Sequence, residues 1–192
     1  MQAIDIKVPP LAELHKRHSE KWRGFAPDVL PLPVAEMDFE IAEPIKEAMI
    51  EMIKNSDLGY LGKIPEAGQS FSGFALRRWK WSVEPTDIQL ATDVGVAAVE
   101  VLRAVTSPGD KVLVNSPIYT NFFNWNDEAK SQRIDVPFSY HPERSSELNP
   151  WDLDWDGIEK AYASGIKVHM ICNPHNPLGR IFSSDELDRF IS

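Results

Sequence analysis

Residues 171–180 read ICNPHNPLGR, and this stretch decides the fold more than any other part of the sequence. It overlaps the end of an apolar run at residues 167–172 that is typical of a buried β-strand. Proline restricts the residue before it to extended backbone conformations, so Asn173 and Asn176 each stand at a constrained position. Two such steps in succession predict a stiff loop at the end of a strand, and this loop can hold an asparagine amide at a fixed point.

Strand and helix patterns alternate along the sequence before this loop. Extended apolar runs predict strands at 88–92, 111–115, 134–138 and 167–172, and helical patterns stand at 96–105, at 158–163 and after a capping-box signal at Ser183. An alternation of this kind is typical of a mostly parallel sheet that helices cover on both faces. Functional sites in such sheets lie beyond the carboxyl ends of the strands.

The N-terminal part of the chain has a different character. Residues 1–42 are rich in proline and polar groups, and they predict an irregular arm with one short extended piece at 32–35. A helix is predicted from Glu43, with Pro44 in its first turn, and a second helix at residues 67–79. The first of these helices has one apolar face, which we expect to be core; its residues are Ile45, Ala48, Met49, Met52 and Ile53.

Composition narrows the class of protein. The 192 residues carry 20 Lys and Arg against 29 Asp and Glu, a net charge of −9 that argues against a broad nucleic-acid-binding surface. The single cysteine, Cys172, excludes an internal disulfide and suits a reducing compartment. The N-terminal residues lack the apolar core of a signal peptide, and no stretch is long enough to span a bilayer. We therefore expect a cytoplasmic protein with no nucleic-acid or membrane partner.

Three of the strand ends carry unusual residues. The first leads into a helix start, where the free N–H groups of Gly95, Val96 and Ala97 can bind an anion such as phosphate. The second is followed by Tyr119, which can cover the face of a flat ring, and the third by Asn176. When each is taken singly, an ordinary turn and a core tyrosine are the favoured explanations of the first two. Their order at successive strand ends favours one shared site.

Two other kinds of site find little support in the sequence. His175 has no partner at metal-ligand spacing, so we expect a structural role for it and no metal. A plain nucleotide-binding α/β domain is a further possibility. It is weakened because neither a Gly-x-Gly-x-x-Gly loop nor a Walker-type loop is present.

Five stretches of the chain carry a family resemblance. They are 32–39 (LPVAEMDF), 58–60 (LGY), 107–114 (SPGDKVLV), 116–119 (SPIY) and 172–180 (CNPHNPLGR). Through them the chain resembles fold-type I pyridoxal-phosphate enzymes of the class I/II aminotransferase group, and it is most similar to MalY/PatB-type cystathionine β-lyases, which are carbon–sulfur lyases. The resemblance implies the three-layer αβα fold of the family's large domain, here incomplete. Residues 43–192 would form its first part, after an N-terminal arm of the small domain at 1–42.

The resemblance also implies roles for individual residues. The cofactor-binding residues would be Gly95, Val96, Ala97, Tyr119, Asn176 and Tyr60, and the substrate-binding residues Val34 and Ala35. Asn176 is similar to the residue that donates to the oxygen on the cofactor ring, and Tyr119 to the residue stacked on that ring. Gly95 and its two successors resemble the phosphate-binding turn. Tyr60 resembles a tyrosine that reaches the phosphate in the neighbouring subunit, which implies a homodimer with shared active sites.

The implied activity is that of a pyridoxal-phosphate-dependent carbon–sulfur β-lyase, which releases a thiol, ammonia and pyruvate from an amino-acid substrate. In the family the Schiff-base lysine lies beyond the Asn-Pro loop. We therefore expect this chain to be an N-terminal portion that is inactive alone, and we assign no catalytic residue within it. Lys63 and Lys111 stand in other contexts and are expected to be surface charges. A class I/II aminotransferase and a non-catalytic regulatory remnant of the fold remain alternatives.

Overall fold

The computed structural model describes residues 6–60, 62–145 and 149–192. The chain forms two compact units, Met1–Pro65 and Glu66–Ser192. The boundary predicted after residue 42, between an N-terminal arm and the large domain, falls inside the first of these units. That this boundary divides the domains of a complete enzyme stays a prediction.

Residues 6–60 of the first unit contain three helices, and a buried lysine and tryptophan of the second helix donate to Asp38. The helices are α1 (Leu11–Leu14), α2 (Glu20–Arg23) and α3 (Glu43–Lys54). Asp38 accepts hydrogen bonds from Lys21 Nζ at 2.9 Å and from Trp22 Nε1 at 3.0 Å, and both donors are buried residues. The hydrogen bond from Lys21 lowers the pKa of the Asp38 carboxyl below its ordinary value. The aspartate of the AEMDF stretch therefore fastens the following segment to α2.

Helix α3 begins as predicted, but its apolar face is not core. Pro44 lies in the first turn, and the helix runs to Lys54. Met49 is 55% exposed and Met52 is 49% exposed, so the prediction that they belong to the core is wrong. Helical periodicity shows which residues share a face, whereas burial depends on a second element that covers the face. Residues 33–35 of the predicted extended piece form bends, and no strand is found there.

The second unit carries the α/β pattern. Its elements are α4 (Pro65–Trp79), α5 (Val94–Val105), β1 (Lys111–Val114), α6 (Asn121–Glu128), β2 (Gln132–Asp135), β3 (Ser139–Tyr140), β4 (Trp151–Asp152), α7 (Trp155–Ala163), β5 (Val168–His169) and α8 (Ser184–Ile191). Strands β2, β1 and β5 form a parallel sheet in that order, and β3 pairs with β4 in antiparallel fashion. Strand β1 is therefore the central strand of the parallel sheet.

Two apolar clusters cover opposite faces of this sheet. Successive side chains of a strand point to opposite faces, and in β1 both Val112 and Leu113 are fully buried. Val112 packs with Leu102 of α5 and Ala129 after α6, whereas Leu113 packs with Ile158 of α7. Burial of each large aliphatic side chain contributes about 2 kcal/mol. The helices thus lie on both faces, and the predicted three-layer αβα architecture is confirmed.

The remaining element predictions differ in outcome. The capping box is confirmed, because Ser183 Oγ accepts from Glu186 N at 3.2 Å and Glu186 Oε2 accepts from Ser183 N at 2.9 Å. The predicted strand at 88–92 is not formed, because no strand among the described residues pairs with this segment. A short 3₁₀ helix, Pro85–Asp87, lies directly before the segment. In the described ranges no helix is both long enough and apolar enough to cross a membrane.

Candidate functional site

A cleft opens at the carboxyl ends of β1 and β5. Because β2 and β5 flank β1 on opposite sides, the connections that follow β1 and β5 diverge and leave a crevice between them. The cleft has a volume of about 640 Å³, which is within the range of small-molecule sites. It is lined by the start of α5 (Asp93, Val94, Gly95), by the segment after β1 (Tyr119, Asn121, Phe122, Trp125) and by the segment after β5 (Ile171, Cys172, Asn173).

Tyr119 presents a supported aromatic ring to this cleft. Its hydroxyl accepts a hydrogen bond from Asn121 Nδ2 at 2.8 Å, and Asn124 Nδ2 in turn donates to Asn121 Oδ1 at 3.1 Å. The edge of Trp125 lies against the same ring, with centroids 6.3 Å apart. Because Tyr119 is 44% exposed, it is not a core tyrosine. The ring is held in place and keeps a face open to the cleft.

The start of α5 offers fewer free donors than the sequence suggests. Val96 N donates to the Oδ1 atom of Asp93 at 2.9 Å, and Ala97 N donates to the backbone oxygen of Asp93 at 3.1 Å. Of the three predicted donors, only Gly95 N–H has no partner within the part of the chain that the structure describes. A Cβ on Gly95 would lie 3.0 Å from Asp93 Oδ1 and 3.0 Å from Trp125 Nε1, so a larger residue here would require one or both of these side chains to shift. The phosphate-binding roles of these residues stay predictions.

The Asn-Pro loop is fastened to the loop after β1 by His175. This histidine is 2% exposed, its Nε2 donates to Pro117 O at 2.9 Å, and its ring meets Phe138 with centroids 4.7 Å apart. Burial lowers the pKa of the imidazole below its ordinary value. A neutral, hydrogen-bonded histidine inside the fold agrees with the structural role expected for it.

Arg180 fastens the other end of the loop. Its guanidinium donates to Glu186, which also belongs to the capping box of α8, and it lies 5.0 Å from the centroid of the Phe182 ring. Arg180 is buried, so this ion pair is shielded from water. The loop is therefore held at both ends, by His175 toward β1 and by Arg180 toward α8.

The two asparagines of the loop are placed differently. Asn173 lines the cleft, but its Oδ1 already accepts a hydrogen bond from Phe182 N at 3.2 Å. Asn176 is exposed and does not line the cleft. Its backbone N–H donates to the Sγ atom of Cys172 at 3.4 Å, and Cys172 does line the cleft. The structure brings Gly95 and Tyr119 together in one cleft and places Asn176 one hydrogen bond away. The predicted contact between Asn176 and a cofactor ring stays a prediction.

A buried polar chain supports the cleft from beneath. Asn115, directly after β1, donates from Nδ2 to Val136 O at 2.9 Å, so its Oδ1 accepts from His169 Nε2 at 2.7 Å. The other ring nitrogen, Nδ1, then accepts from the Tyr162 hydroxyl at 2.7 Å. Burial lowers the pKa of His169 from its ordinary 6.5 to about 4, so the ring is neutral. This series of hydrogen bonds joins the end of β1 to β5 and to α7.

Three predicted residues lie in the first unit. Val34 is 48% exposed, Ala35 is exposed, and the side chain of Tyr60 is fully exposed. Their surfaces are open to a ligand or a second chain. Their predicted substrate and cofactor roles stay predictions.

Sequence reasoning missed three residues of the cleft. Asp93 is the N-cap of α5, and an aspartate three residues before a helical N–H is a recognisable capping signal. Asn121 and Trp125 support Tyr119, and the only signal for them was their position within two turns of that tyrosine. No group of three or more metal-ligating side chains is found in residues 6–60, 62–145 and 149–192.

Comparison with known proteins places this architecture among characterised families. The family model described as aminotransferase class I and II matches residues 27–192. A cystathionine beta-lyase of Corynebacterium glutamicum is 32% identical over 94% of this chain and 46% of its own length. The cystathionine beta-lyase PatB of Bacillus subtilis is 30% identical over 83% of this chain and 40% of its own length.

A solved structure gives the same picture. Cystalysin from Treponema denticola, which contains a pyridoxal 5'-phosphate cofactor, matches with a TM-score of 0.79 and 26% identity, covering 91% of this chain and 45% of its own length. The chain thus spans less than half the length of the relatives that it matches.

Proposed function

The chain belongs to the class I and II aminotransferase family, and on that premise we propose that it is part of a pyridoxal-phosphate-dependent carbon–sulfur β-lyase. Such an enzyme would release a thiol, ammonia and pyruvate from cystathionine or a related cysteine conjugate. The observation that carries the proposal is the cleft shared by Gly95 and Tyr119 at the carboxyl ends of β1 and β5. The lyase class is supported by the cystathionine beta-lyases among the relatives.

The residues of the cleft fit this cofactor. Where the cofactor ring would lie, Tyr119 offers a half-exposed aromatic ring, and its hydroxyl accepts a hydrogen bond from Asn121. At the phosphate end, the start of α5 carries a partial positive charge, and the Gly95 N–H group has no hydrogen-bond partner among the described residues. Glycine at position 95 lets the side chains of Asp93 and Trp125 approach this turn closely, since Asp93 Oδ1 and Trp125 Nε1 each lie 3.0 Å from the position that a Cβ would take.

Pyridoxal phosphate, when bound, withdraws electrons from the α-carbon of an amino-acid substrate. The residues of this chain would bind and orient it. Tyr119 would pack on the ring and fix its plane, and Gly95 N–H would donate to the phosphate. Asn176 would donate its side-chain amide to the ring oxygen, since the stiff loop holds it beside Cys172.

No lysine of the cleft is assigned a proton-transfer role. No lysine is found among the described residues that line the cleft. Lys111 lies at the amino end of β1, where its Nζ donates to Ser164 O at 2.8 Å. Because the cleft is at the carboxyl end of the same strand, Lys111 is a structural residue. We assign the proton transfer to no residue of this chain.

The remaining parts of the proposal concern partners and location. We propose a cytoplasmic homodimer that acts on a small amino-acid substrate. Support comes from the fully exposed Tyr60, whose ring is free to reach a second subunit, and from the exposed surfaces of Val34 and Ala35. Analytical ultracentrifugation of the wild-type protein measures its oligomeric state, and a monomer at all concentrations would contradict the proposed homodimer.

An activity assay tests the lyase assignment. The enzyme of which this chain is proposed to be a part is incubated with pyridoxal phosphate and cystathionine, and pyruvate is measured with and without an added keto acid. The lyase predicts pyruvate without a keto acid, whereas product formation that depends on a keto acid indicates an aminotransferase. Absence of both products, together with retained cofactor binding, would favour a non-catalytic member of the family.

A further inference from the structure

The carboxylate of Asp93 occupies the place where an anion would bind at the start of α5. Its Oδ1 accepts the Val96 N–H at 2.9 Å, and the same atom lies 3.0 Å from the position of a Cβ on Gly95. The oxygen therefore fills the space over the first turn of the helix. An incoming phosphate would need both that space and the Val96 N–H group.

Charge in the cleft has the same sign as the ligand. Asp93 is the one charged side chain among the described residues that line the cleft. The nearby cation, Arg103, is engaged by Glu100 at 2.8 Å and by Glu128 at 2.6 Å. An acidic side chain at a helix N-terminus also neutralises the partial positive charge that would attract a phosphate. A phosphorylated ligand thus meets a carboxylate, and none of the described residues that line the cleft is a cation.

The geometry shows how this obstacle can be removed. Asp93 is exposed, so its side chain can turn into solvent without disturbing the core. Its departure would free Val96 N–H, next to the Gly95 N–H that already has no described partner. Trp125 Nε1 lies 3.0 Å from the position of a Gly95 Cβ, so an indole N–H donor is close to the same place.

We propose that Asp93 is an internal competitor of the cofactor phosphate: its carboxylate caps α5 in the free chain and must leave Val96 before a phosphate can bind there. The inference rests on the proposed pyridoxal-phosphate site. Asp93 thereby sets the affinity of the cleft for phosphorylated ligands and leaves its affinity for an uncharged ring unaffected. The same residue keeps α5 capped when no ligand is bound.

The test compares Asp93→Asn with Asp154→Asn. Asparagine can still cap α5 when no ligand is bound. Its neutral amide oxygen is a weaker acceptor than a carboxylate, so the first variant gives up the Val96 N–H more easily and carries no charge. Asp154 is a matched control, because it caps α7 through Gly157 N at 2.9 Å and does not line the cleft. Calorimetry measures the Kd of each protein for pyridoxal 5'-phosphate and for pyridoxal, which lacks the phosphate.

The proposal predicts that Asp93→Asn binds pyridoxal 5'-phosphate about tenfold more tightly than wild type, because a like charge is removed from the anion position. Pyridoxal affinity should not change, and Asp154→Asn should match wild type for both ligands. The backbone amide signal of Val96 should shift in NMR spectra when pyridoxal phosphate is added to wild type.

Three results would count against the proposal. An unchanged or weaker affinity of Asp93→Asn for pyridoxal phosphate would overturn it and leave the proposed function intact. An equal gain in Asp154→Asn would show a general charge effect and would also overturn it. If neither wild type nor Asp93→Asn binds the phosphorylated or the unphosphorylated ligand, the proposed function fails, and the inference fails with it.

Discussion

Acid should weaken this fold through one histidine, His169. The imidazole is neutral because burial lowers its pKa from 6.5 to about 4, and its Nδ1 accepts from Tyr162 at 2.7 Å. The unfolded chain binds the proton below pH 6.5, whereas the folded chain resists it until pH 4. A lowered histidine pKa therefore gives stability that is fully present above pH 6.5 and is lost as pH falls toward 4.

The size of this loss follows from the difference between the two pKa values. Each unit is equivalent to about 1.4 kcal/mol, so the free energy of unfolding should fall by about 3 kcal/mol across the window. His169→Gln keeps groups that can donate to Asn115 and accept from Tyr162, but it does not titrate. Subtraction of the variant's stability from that of wild type cancels the contributions of the carboxylates and of His175.

Urea unfolding at a series of pH values measures that difference. The wild-type advantage should decline with a slope of about 1.4 kcal/mol per pH unit between pH 6.5 and 4. A difference that stays flat over this window would refute the reasoning, because it would mean that the ring takes up its proton equally easily in the folded and unfolded chains.

The core, the helix cap and the tyrosine support each give a separate prediction. Ile158→Ala should lower the free energy of unfolding by about 3 kcal/mol and Ile158→Val by about 1 kcal/mol in urea titrations, since the side chain is fully buried; equal losses would contradict the packing. Ser183→Ala should cost about 1 kcal/mol by the same measurement, and no loss would show that the capping box does not stabilise α8. Asn121→Ala should weaken pyridoxal-phosphate binding about threefold in calorimetry and leave the urea midpoint unchanged, because it removes only two exposed hydrogen bonds, one to Tyr119 and one from Asn124; a shifted midpoint with unchanged binding would contradict the positioning role.

Local signals in the sequence predicted much of this fold. The capping box at Ser183 and the proline in the first turn of α3 depend on neighbours a few residues apart, and both are confirmed. The order of strands and helices predicted a parallel sheet with helices on both faces, because β1 is apolar on both sides. The α/β architecture therefore follows from short-range patterns.

The errors concern partners that are distant in the sequence. A strand at residues 88–92 needs a neighbouring strand, and the face of α3 around Met49 needs a covering element; neither requirement is visible in a local pattern. The chain from Asn115 through His169 to Tyr162 joins residues up to 54 positions apart, so no spacing rule predicts it. Asp93 is different, because a local capping rule does predict that its side chain accepts the N–H of Val96.

The central claim is that Gly95 and Tyr119 face one cleft that binds pyridoxal phosphate, and an NMR titration with this cofactor tests it most directly. Gly109 is a control, because its N–H donates to Lys130 O in the turn before β1, at the opposite end of the strand. If both residues contact the cofactor, the Gly95 amide and the Tyr119 ring signals should shift together with one Kd, while the Gly109 amide does not move. Saturation of the cofactor with unchanged Gly95 and Tyr119 signals, or with shifts confined to other residues, would contradict it.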